Sequence, residues 1–307
     1  MTSGGYPAVM STLTLACPAK VNLALSVGSP RPADGYHPIA SWMATLDFAD
    51  AMTLAALDAG PSRFDLHFAR DAPKPQAIDW PLEKDLAWRA HRLLEQHVGR
   101  PLPVAMTLAK RIPAGAGLAG GSSNAAAMLV GLNRLFELQL PEAALAELAT
   151  KLGSDIAFLV AALHGRPAAI VTGLGEQVTP IAPRALHLVL AFPRFGCPTG
   201  PVYKAFDQSL ASASRPPAVE RVRELAGATA VASESLFNDL SEPACIVAPE
   251  LAELREALAA RVARPVHVSG SGSTLFFLAR DADEAARLAQ AVRESPGLPA
   301  VATVTQG

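Results

Sequence analysis

A glycine-rich segment between a predicted strand and a predicted helix is the part of the sequence best suited to bind phosphate. It runs from Pro113 to Ser123 as PAGAGLAGGSS, with glycines at 115, 117, 120 and 121. Glycine lets a ligand approach the backbone closely, and the free N–H groups at a helix N-terminus attract negative charge. Because a tight strand-to-helix turn needs only one or two glycines, we favour phosphate binding over a purely structural turn.

The segment differs from two common nucleotide-binding loops. A Walker A loop carries a lysine directly after its last glycine, whereas Ser122 and Ser123 follow Gly121 here. A dinucleotide-binding loop is followed about 20 residues later by an acidic residue at a strand end, and the sequence has none in that place. We therefore expect a phosphate site of another kind.

Two charged residues lie in apolar surroundings. Lys20 is in a strand-like run, where a lysine either reaches solvent or finds a partner. Asp155 precedes the apolar run 156–163, where capping a helix is its simplest role. Asn22, two residues from Lys20, shares its face if this run is a strand. From the residues alone, structural and catalytic roles both remain open for Lys20 and Asp155.

The elements that must position these residues are predicted from hydrophobic periodicity and from helix and turn signals. The predicted strands are 12–27, 41–48, 102–109, 168–172, 186–192 and 266–278. The predicted helices are 84–98, one that follows the glycine loop directly with Ser122, Ser123 and Asn124 as candidate N-caps, 141–152, one that starts at 155, 247–263 and 281–293. The proline-rich stretch 60–81 predicts an irregular excursion, and 207–235 predicts a loop or short helices.

Length and charge limit the classes of protein. A chain of 307 residues predicts about two domains. After Gly165 the predicted secondary structure changes to short strands that alternate with helices. The net charge of −2 offers no general attraction for nucleic acid or for an acidic membrane. No apolar run reaches the roughly 18 residues of a membrane span. We therefore expect small-molecule partners, and neither a nucleic acid nor a membrane as partner.

Cysteine and histidine spacing limit the choice further. Three widely separated cysteines, Cys17, Cys197 and Cys245, are typical of reduced thiols in the cytoplasm. The seven histidines show no metal-binding spacing, so we expect no metal site built from protein ligands alone.

The glycine segment, extended to PAGAGLAGGSSNAAA, closely resembles the signature of the GHMP kinases, the superfamily of galactokinase, homoserine kinase and mevalonate kinase. Two further motifs agree, PAKVNL at 18–23 and SGSGST at 269–274. The resemblance implies an α+β, two-domain GHMP kinase fold. Residues 1–165 would form an N-terminal nucleotide-binding α/β domain, and 166–307 a C-terminal ferredoxin-like α+β domain. It also implies an ATP-dependent small-molecule kinase that uses Mg²⁺.

Three segments, at 18–37, 152–160 and 237–244, resemble within that superfamily the kinases of 4-diphosphocytidyl-2-C-methyl-D-erythritol. The resemblance implies phosphorylation of the C2 hydroxyl of that compound in the non-mevalonate isoprenoid pathway. A homoserine or mevalonate type of kinase is one alternative, but those substrates carry no base for the Asp34-Gly-Tyr-His37 element to receive. A non-catalytic nucleotide sensor is another, although Lys20 and Asp155 are both present.

The resemblance also assigns roles to single residues. Asp155 would take the proton of the substrate hydroxyl, and Lys20 would stabilise its carboxylate and the transferred phosphoryl group. Tyr36 and His37 would receive cytosine, and Asn22 the erythritol hydroxyls. The ATP-binding residues would be Lys110, which resembles a residue lining the adenine pocket, and Pro113, Ala114, Gly115, Ala116, Gly117, Leu118, Ala119, Gly120, Gly121, Ser122 and Ser123.

Two positions depart from the family pattern. Ala119 stands where the loop usually has glycine, and Ala157 where the Asp155 motif usually has proline. A methyl group at 119 is strained if the local φ is positive.

Overall fold

The structure is a computed structural model that describes residues 9–209 and 215–307. The strands are β1 (Val9–Val27), β2 (Ile39–Leu57), β3 (Arg63–Phe68), β4 (Val104–Lys110), β5 (Ala168–Gly173), β6 (Gln177–Pro180), β7 (His187–Ala191), β8 (Phe237–Asn238), β9 (His267–Val268), β10 (Leu275–Ala279) and β11 (Ala300–Val304). The helices are α1 (Leu86–Val98), α2 (Gly120–Leu135), α3 (Glu142–Thr150), α4 (Ile156–Leu163), α5 (Thr199–Ser209), α6 (Val219–Gly227), α7 (Ser241–Val247), α8 (Pro249–Val262) and α9 (Ala282–Glu294).

The larger sheet has the strand order β3-β4-β2-β1-β8, and β5 and β6 extend it from β2. The antiparallel register of β1 and β2 shifts between Pro18 and Lys20. Proline cannot donate a ladder hydrogen bond, and such a bulge re-aims the side chains beside it. The bulge thus lies directly before Lys20, one of the predicted site residues.

Helix α2 is the central helix on the larger sheet. Every residue from Ser123 to Leu132 is buried, so this helix is covered on all sides rather than along one apolar stripe. Its glycine at 131 permits this packing, since an added Cβ would lie 2.5 Å from Leu54 Cδ1. The small residues of the helix therefore bring its N-terminus, and the loop before it, close to β1.

The smaller sheet has the antiparallel order β11-β7-β10-β9. The chain end joins it to the larger sheet, because the backbone N–H of Gln306 donates to the Thr45 carbonyl oxygen at 2.8 Å. The Thr45 hydroxyl donates to Gln306 Oε1 at 2.8 Å. The division of the chain at residue 165 remains a prediction; β5 and β6, which follow it, pair with the larger sheet.

Several predicted elements differ in detail from the structure. The single strand predicted at 266–278 is two strands, because Gly270 and Gly272 between them adopt positive φ. The helix predicted at 247–263 is α8, which begins two residues later at Pro249, because proline is well suited to the first turn of a helix. The excursion at 60–81 contains β3. Within 207–235 the chain forms the end of α5, then α6 and a 3₁₀ turn at Ser233–Ser235; residues 210–214 lie outside the described residues.

The start of α2 also differs from the prediction. The helix begins at Gly120, and Ala119 holds the N-cap position. The three predicted caps, at 122–124, are therefore the third to fifth residues of the helix. None of the helices in the described ranges has both the length and the apolar character that a membrane crossing requires.

Candidate active site

A cavity of about 830 Å³ lies between the glycine loop, β1, the start of α4 and the 270–272 segment. Its volume is in the range of small-molecule sites. Predicted residues that line it are Lys20, Asn22, Lys110, Pro113, Ala114, Gly115, Ala116, Gly117, Ala119, Gly120, Gly121, Ser122 and Asp155. Leu118 and Ser123 do not line it, because both are buried in the packing behind the loop. The fold therefore brings the residues of three separate sequence motifs to one cavity.

Lys20 and Asp155 form an ion pair at this cavity. Lys20 Nζ lies 3.4 Å from Asp155 Oδ2, and the two side chains are 5% and 24% exposed. Nζ also donates to Asn22 Oδ1 at 2.6 Å. The Asn22 amide donates to Ser41 Oγ at 2.8 Å, and the Ser41 hydroxyl donates to the Ala24 carbonyl oxygen at 2.7 Å. This chain of bonds orients the ammonium group towards the carboxylate.

Asp155 stands at the N-cap position of α4 but makes no capping hydrogen bond through its side chain to the described helix. Helix capping, the simplest role for this residue from the sequence alone, is thus not what the geometry shows. Its carboxylate faces Lys20 and the cavity instead.

The glycine loop packs backbone to backbone against the 269–274 segment. An added Cβ at Gly117 would lie 2.2 Å from the Ser269 carbonyl oxygen and 2.8 Å from that of Gly272. The Ser269 hydroxyl donates to the Gly117 carbonyl oxygen at 3.1 Å, and the Thr274 N–H donates to that of Ala116 at 3.2 Å. The third motif of the sequence therefore closes the site against the loop, and glycine is required at 117 for this contact.

Ala119 adopts the left-handed conformation, with φ 55° and ψ 32°. This is the positive φ for which strain was expected, and the conformation costs an alanine about 1–2 kcal/mol. The methyl group packs partly buried against the main core. Glycine would adopt this conformation without the steric cost.

A buried carboxylate organises the strand-to-loop junction. Asp50 on β2 is 1% exposed. Its Oδ2 accepts from Lys110 Nζ at 2.7 Å and from Asn124 Nδ2 at 3.0 Å. Its Oδ1 accepts the backbone N–H groups of Arg111 and Ile112 at 2.6 and 2.8 Å. Asp50 therefore positions the two residues that lead into the glycine loop.

Asp50 was not identified from the sequence, although a signal was present. An acidic residue inside an apolar strand pattern needs a buried partner, because an isolated buried charge is costly. The pairing with Lys110 spans 60 residues, and only the sheet register brings the two together.

We expect Asp50→Ala to lower the free energy of unfolding by about 3–5 kcal/mol, because it leaves the Lys110 ammonium buried without its charged partner. Urea unfolding measures this change. Asp65 is exposed, so Asp65→Ala is the matched control. Its free energy of unfolding should stay within about 0.5 kcal/mol of that of the wild type. Adding Lys110→Met to Asp50→Ala should restore part of the loss; equal losses in the single and double variants would contradict the pairing argument.

Comparison with known proteins identifies the family. Residues 85–166 match the model of the GHMP kinases N terminal domain, and 210–297 that of the GHMP kinases C terminal domain. A 4-diphosphocytidyl-2-C-methyl-D-erythritol kinase of Bacillus pumilus is 38% identical over 279 residues, which cover 90% of this chain and 91% of the relative. The chain belongs to this family of GHMP kinases. The expected fold class and an ATP-dependent small-molecule kinase are thereby confirmed.

Solved structures agree with this assignment. A crystal structure of 4-(cytidine 5'-diphospho)-2C-methyl-D-erythritol kinase matches this kinase with a TM-score of 0.73 and 35% identity, covering 96% of this chain and 100% of the other. Homoserine kinase from Cytophaga hutchinsonii matches with a TM-score of 0.67 over 99% and 97% of the two chains, but at 16% identity. The second likeness is one of fold alone.

The two residues predicted to receive cytosine, Tyr36 and His37, lie in different surroundings from each other. His37 Nδ1–H donates to the Gly28 carbonyl oxygen at 2.9 Å, and the centre of its ring lies 5.0 Å from that of Tyr203. Tyr203 in turn lines the cavity. Tyr36 is 65% exposed and is not among the residues that line the cavity. The roles of both predicted residues remain predictions.

Tyr203 was not identified from the sequence. It lies on α5, far along the chain from the motifs, with no glycine or charge pattern to mark it. Burial raises the pKa of its hydroxyl to about 12, and the negative charge of Asp155 contributes. The hydroxyl therefore stays protonated and is a hydrogen-bond donor rather than a base.

Proposed function

We propose that this kinase transfers the γ-phosphoryl group of ATP to the C2 hydroxyl of 4-diphosphocytidyl-2-C-methyl-D-erythritol. The observation that carries the proposal is the Lys20–Asp155 ion pair in a cavity walled by the glycine loop. The names of the relatives at 35–39% identity support this substrate over homoserine or mevalonate. An intact ion pair supports catalysis over a purely nucleotide-sensing role.

Asp155 would accept the proton of the attacking hydroxyl as the oxygen bonds to phosphorus and the bond to ADP breaks. Phosphoryl transfer passes through a loose transition state, so positioning and charge stabilisation provide most of the catalysis. Lys20, held by Asn22, would orient the carboxylate and stabilise charge on the moving phosphoryl oxygens. The N–H groups at the start of α2 would bind the phosphates.

The donor set at the cavity fits Mg²⁺ bound together with nucleotide phosphates. Mg²⁺ prefers oxygen ligands and is often held by one or two carboxylates plus substrate phosphates. The Ser122 hydroxyl lines the cavity at the start of α2 and is a protein oxygen that would hold it together with the phosphates. When bound, the ion neutralises charge on the phosphates.

Tyr203, together with the predicted pair Tyr36 and His37, would receive the cytosine of the substrate. The rings of Tyr203 and His37 are in contact, and Tyr203 lines the same cavity as Asp155. A flat base stacks on aromatic rings without displacing the catalytic pair.

We also infer a cytoplasmic location for this kinase. All three cysteines are free and buried, as expected for a reducing compartment. Burial raises the pKa of Cys17 to about 12 and that of Cys197 to about 11, so both remain protonated thiols.

The test is ADP release with ATP and Mg²⁺ in the presence of different acceptors. We expect turnover with 4-diphosphocytidyl-2-C-methyl-D-erythritol and none above the no-acceptor rate with homoserine or mevalonate. Turnover with one of the other alcohols would move the substrate assignment, and the absence of turnover with every acceptor would contradict the proposed reaction.

Alanine at either tyrosine tests the cytosine end. We expect Tyr36→Ala and Tyr203→Ala each to raise the KM for the cytidine substrate about tenfold, because one base–aromatic stacking contact is lost. The KM for ATP should change less than about twofold. Tyr203→Phe keeps the ring and is the control that should retain most of the affinity. Steady-state kinetics with both substrates varied would measure this, and equal changes in the two KM values would contradict the placement.

A further inference from the structure

We propose that Trp80 provides the aromatic surface on which the base of the nucleotide stacks. The inference rests on the proposed ATP-dependent function and adds a residue that recognises the base. Trp80 is half-buried and lines the cavity, so one part of its indole ring is available to a ligand.

The cavity has two chemically different ends along the glycine loop. At the first, the Lys20 backbone N–H donates to the Leu118 carbonyl oxygen at 3.0 Å, and Nζ lies 3.5 Å from an ideal Cβ at Gly270. At the second, Leu86 Cδ1 lies 3.5 Å from an ideal Cβ at Gly121. The γ-phosphate must reach Lys20 and Asp155, so the base of the same nucleotide belongs at the end marked by Leu86.

Trp80 belongs to that second end through its bond to the start of α1. Its indole Nε1–H donates to Asp85 Oδ2 at 3.2 Å. Asp85 Oδ1 accepts the N–H groups of Ala87 and Trp88 at 2.9 and 3.3 Å and so caps α1. The same carboxylate thus holds both the helix start and the indole. A ring fixed before binding loses little conformational entropy when a base stacks on it.

The segment before Trp80 is fixed at two further points. Gln76 Oε1 accepts the N–H of the loop residue Ala114 at 2.8 Å. Lys74 Nζ donates to the Pro193 carbonyl oxygen at 2.6 Å, and burial lowers the pKa of this lysine. Residues 74–80 therefore lie along the loop and carry the indole to the cavity. A flat nucleotide base would have the indole on one face and the aliphatic Leu86 nearby.

The proposal is tested with Trp80→Ala, Trp80→Phe and the control Trp88→Phe, whose residue is half-buried on α1 and does not line the cavity. We expect Trp80→Ala to raise the KM for ATP about tenfold, the size of one lost base–aromatic contact, with kcat and the KM for the cytidine substrate within about twofold. Trp80→Phe should recover part of the ATP affinity, because a smaller ring remains. An unchanged KM for ATP in Trp80→Ala would overturn the proposal.

Tryptophan fluorescence gives a second readout that a structural role alone would not produce. ATP should quench the emission of the wild type and of Trp88→Phe, and the quenching should be largely lost in Trp80→Phe. Inorganic tripolyphosphate, which has no base, should not quench it. Equal quenching in the wild type and Trp80→Phe would overturn the proposal. Quenching of Trp80 by ATP in an enzyme that phosphorylates none of the acceptors would instead contradict the proposed function and leave the base-stacking assignment in place.

Discussion

Asp155→Asn is expected to lower kcat by about 10²–10⁴-fold, the contribution typical of a general base. Asparagine has nearly the same shape but cannot accept the hydroxyl proton. The glycine loop and the start of α2 are unchanged, so the affinity for ATP should change less than about threefold. Steady-state kinetics combined with equilibrium ATP binding separates these two effects.

Lys20, which forms the ion pair with Asp155, provides a second variant for this experiment. Lys20→Met removes the ammonium from a side chain that is 5% exposed and should also lower kcat strongly. Because the two groups act as a unit, the double variant should be little worse than the more damaging single variant. Near-normal turnover of Asp155→Asn, or fully additive losses in the double variant, would remove the pair from the mechanism.

Gly117→Ala is expected to lower kcat/KM for ATP by at least about 100-fold, because its Cβ would lie 2.2 Å from the Ser269 carbonyl oxygen. Backbone atoms on both sides cannot move away as a flexible side chain would. The loop and the 269–272 segment must therefore separate, and the phosphate-binding N–H groups move with the loop. The unfolding free energy without nucleotide should also fall.

Gly115→Ala is the matched variant for this loop. Gly115 and Gly117 adopt φ of 66° and 75°, so alanine carries similar backbone strain at both, about 1–2 kcal/mol. At Gly115, however, no atom of the described residues lies within 4 Å of the ideal Cβ. Unfolding without nucleotide should therefore show a clearly larger loss for Gly117→Ala. Equal losses in the two variants would mean that the close contact with 269–272 contributes nothing.

The elements predicted from the sequence agree best with the structure on the two sides of the glycine loop. The predicted strand at 102–109 and the helix after the loop correspond to β4 and α2, because periodicity and glycine content are local signals. The N-cap prediction at 122–124 was wrong. Helix α2 starts at Gly120, with the strained Ala119 before it, and tertiary packing of the loop outweighed local capping preference.

The sequence by itself determined the family through its three motifs, because a motif is a local pattern of residue types. It also drew attention to Lys20 and Asp155, whose catalytic roles stay predictions. Tertiary structure alone decided which side chains meet. Asp50 reaches Lys110 through the register of β2 and β4, and Tyr203 and Trp80 reach the cavity on elements that carry no motif. The physical reason is that these contacts join positions far apart in the chain. Packing and sheet pairing create them, and local residue patterns do not encode those distances.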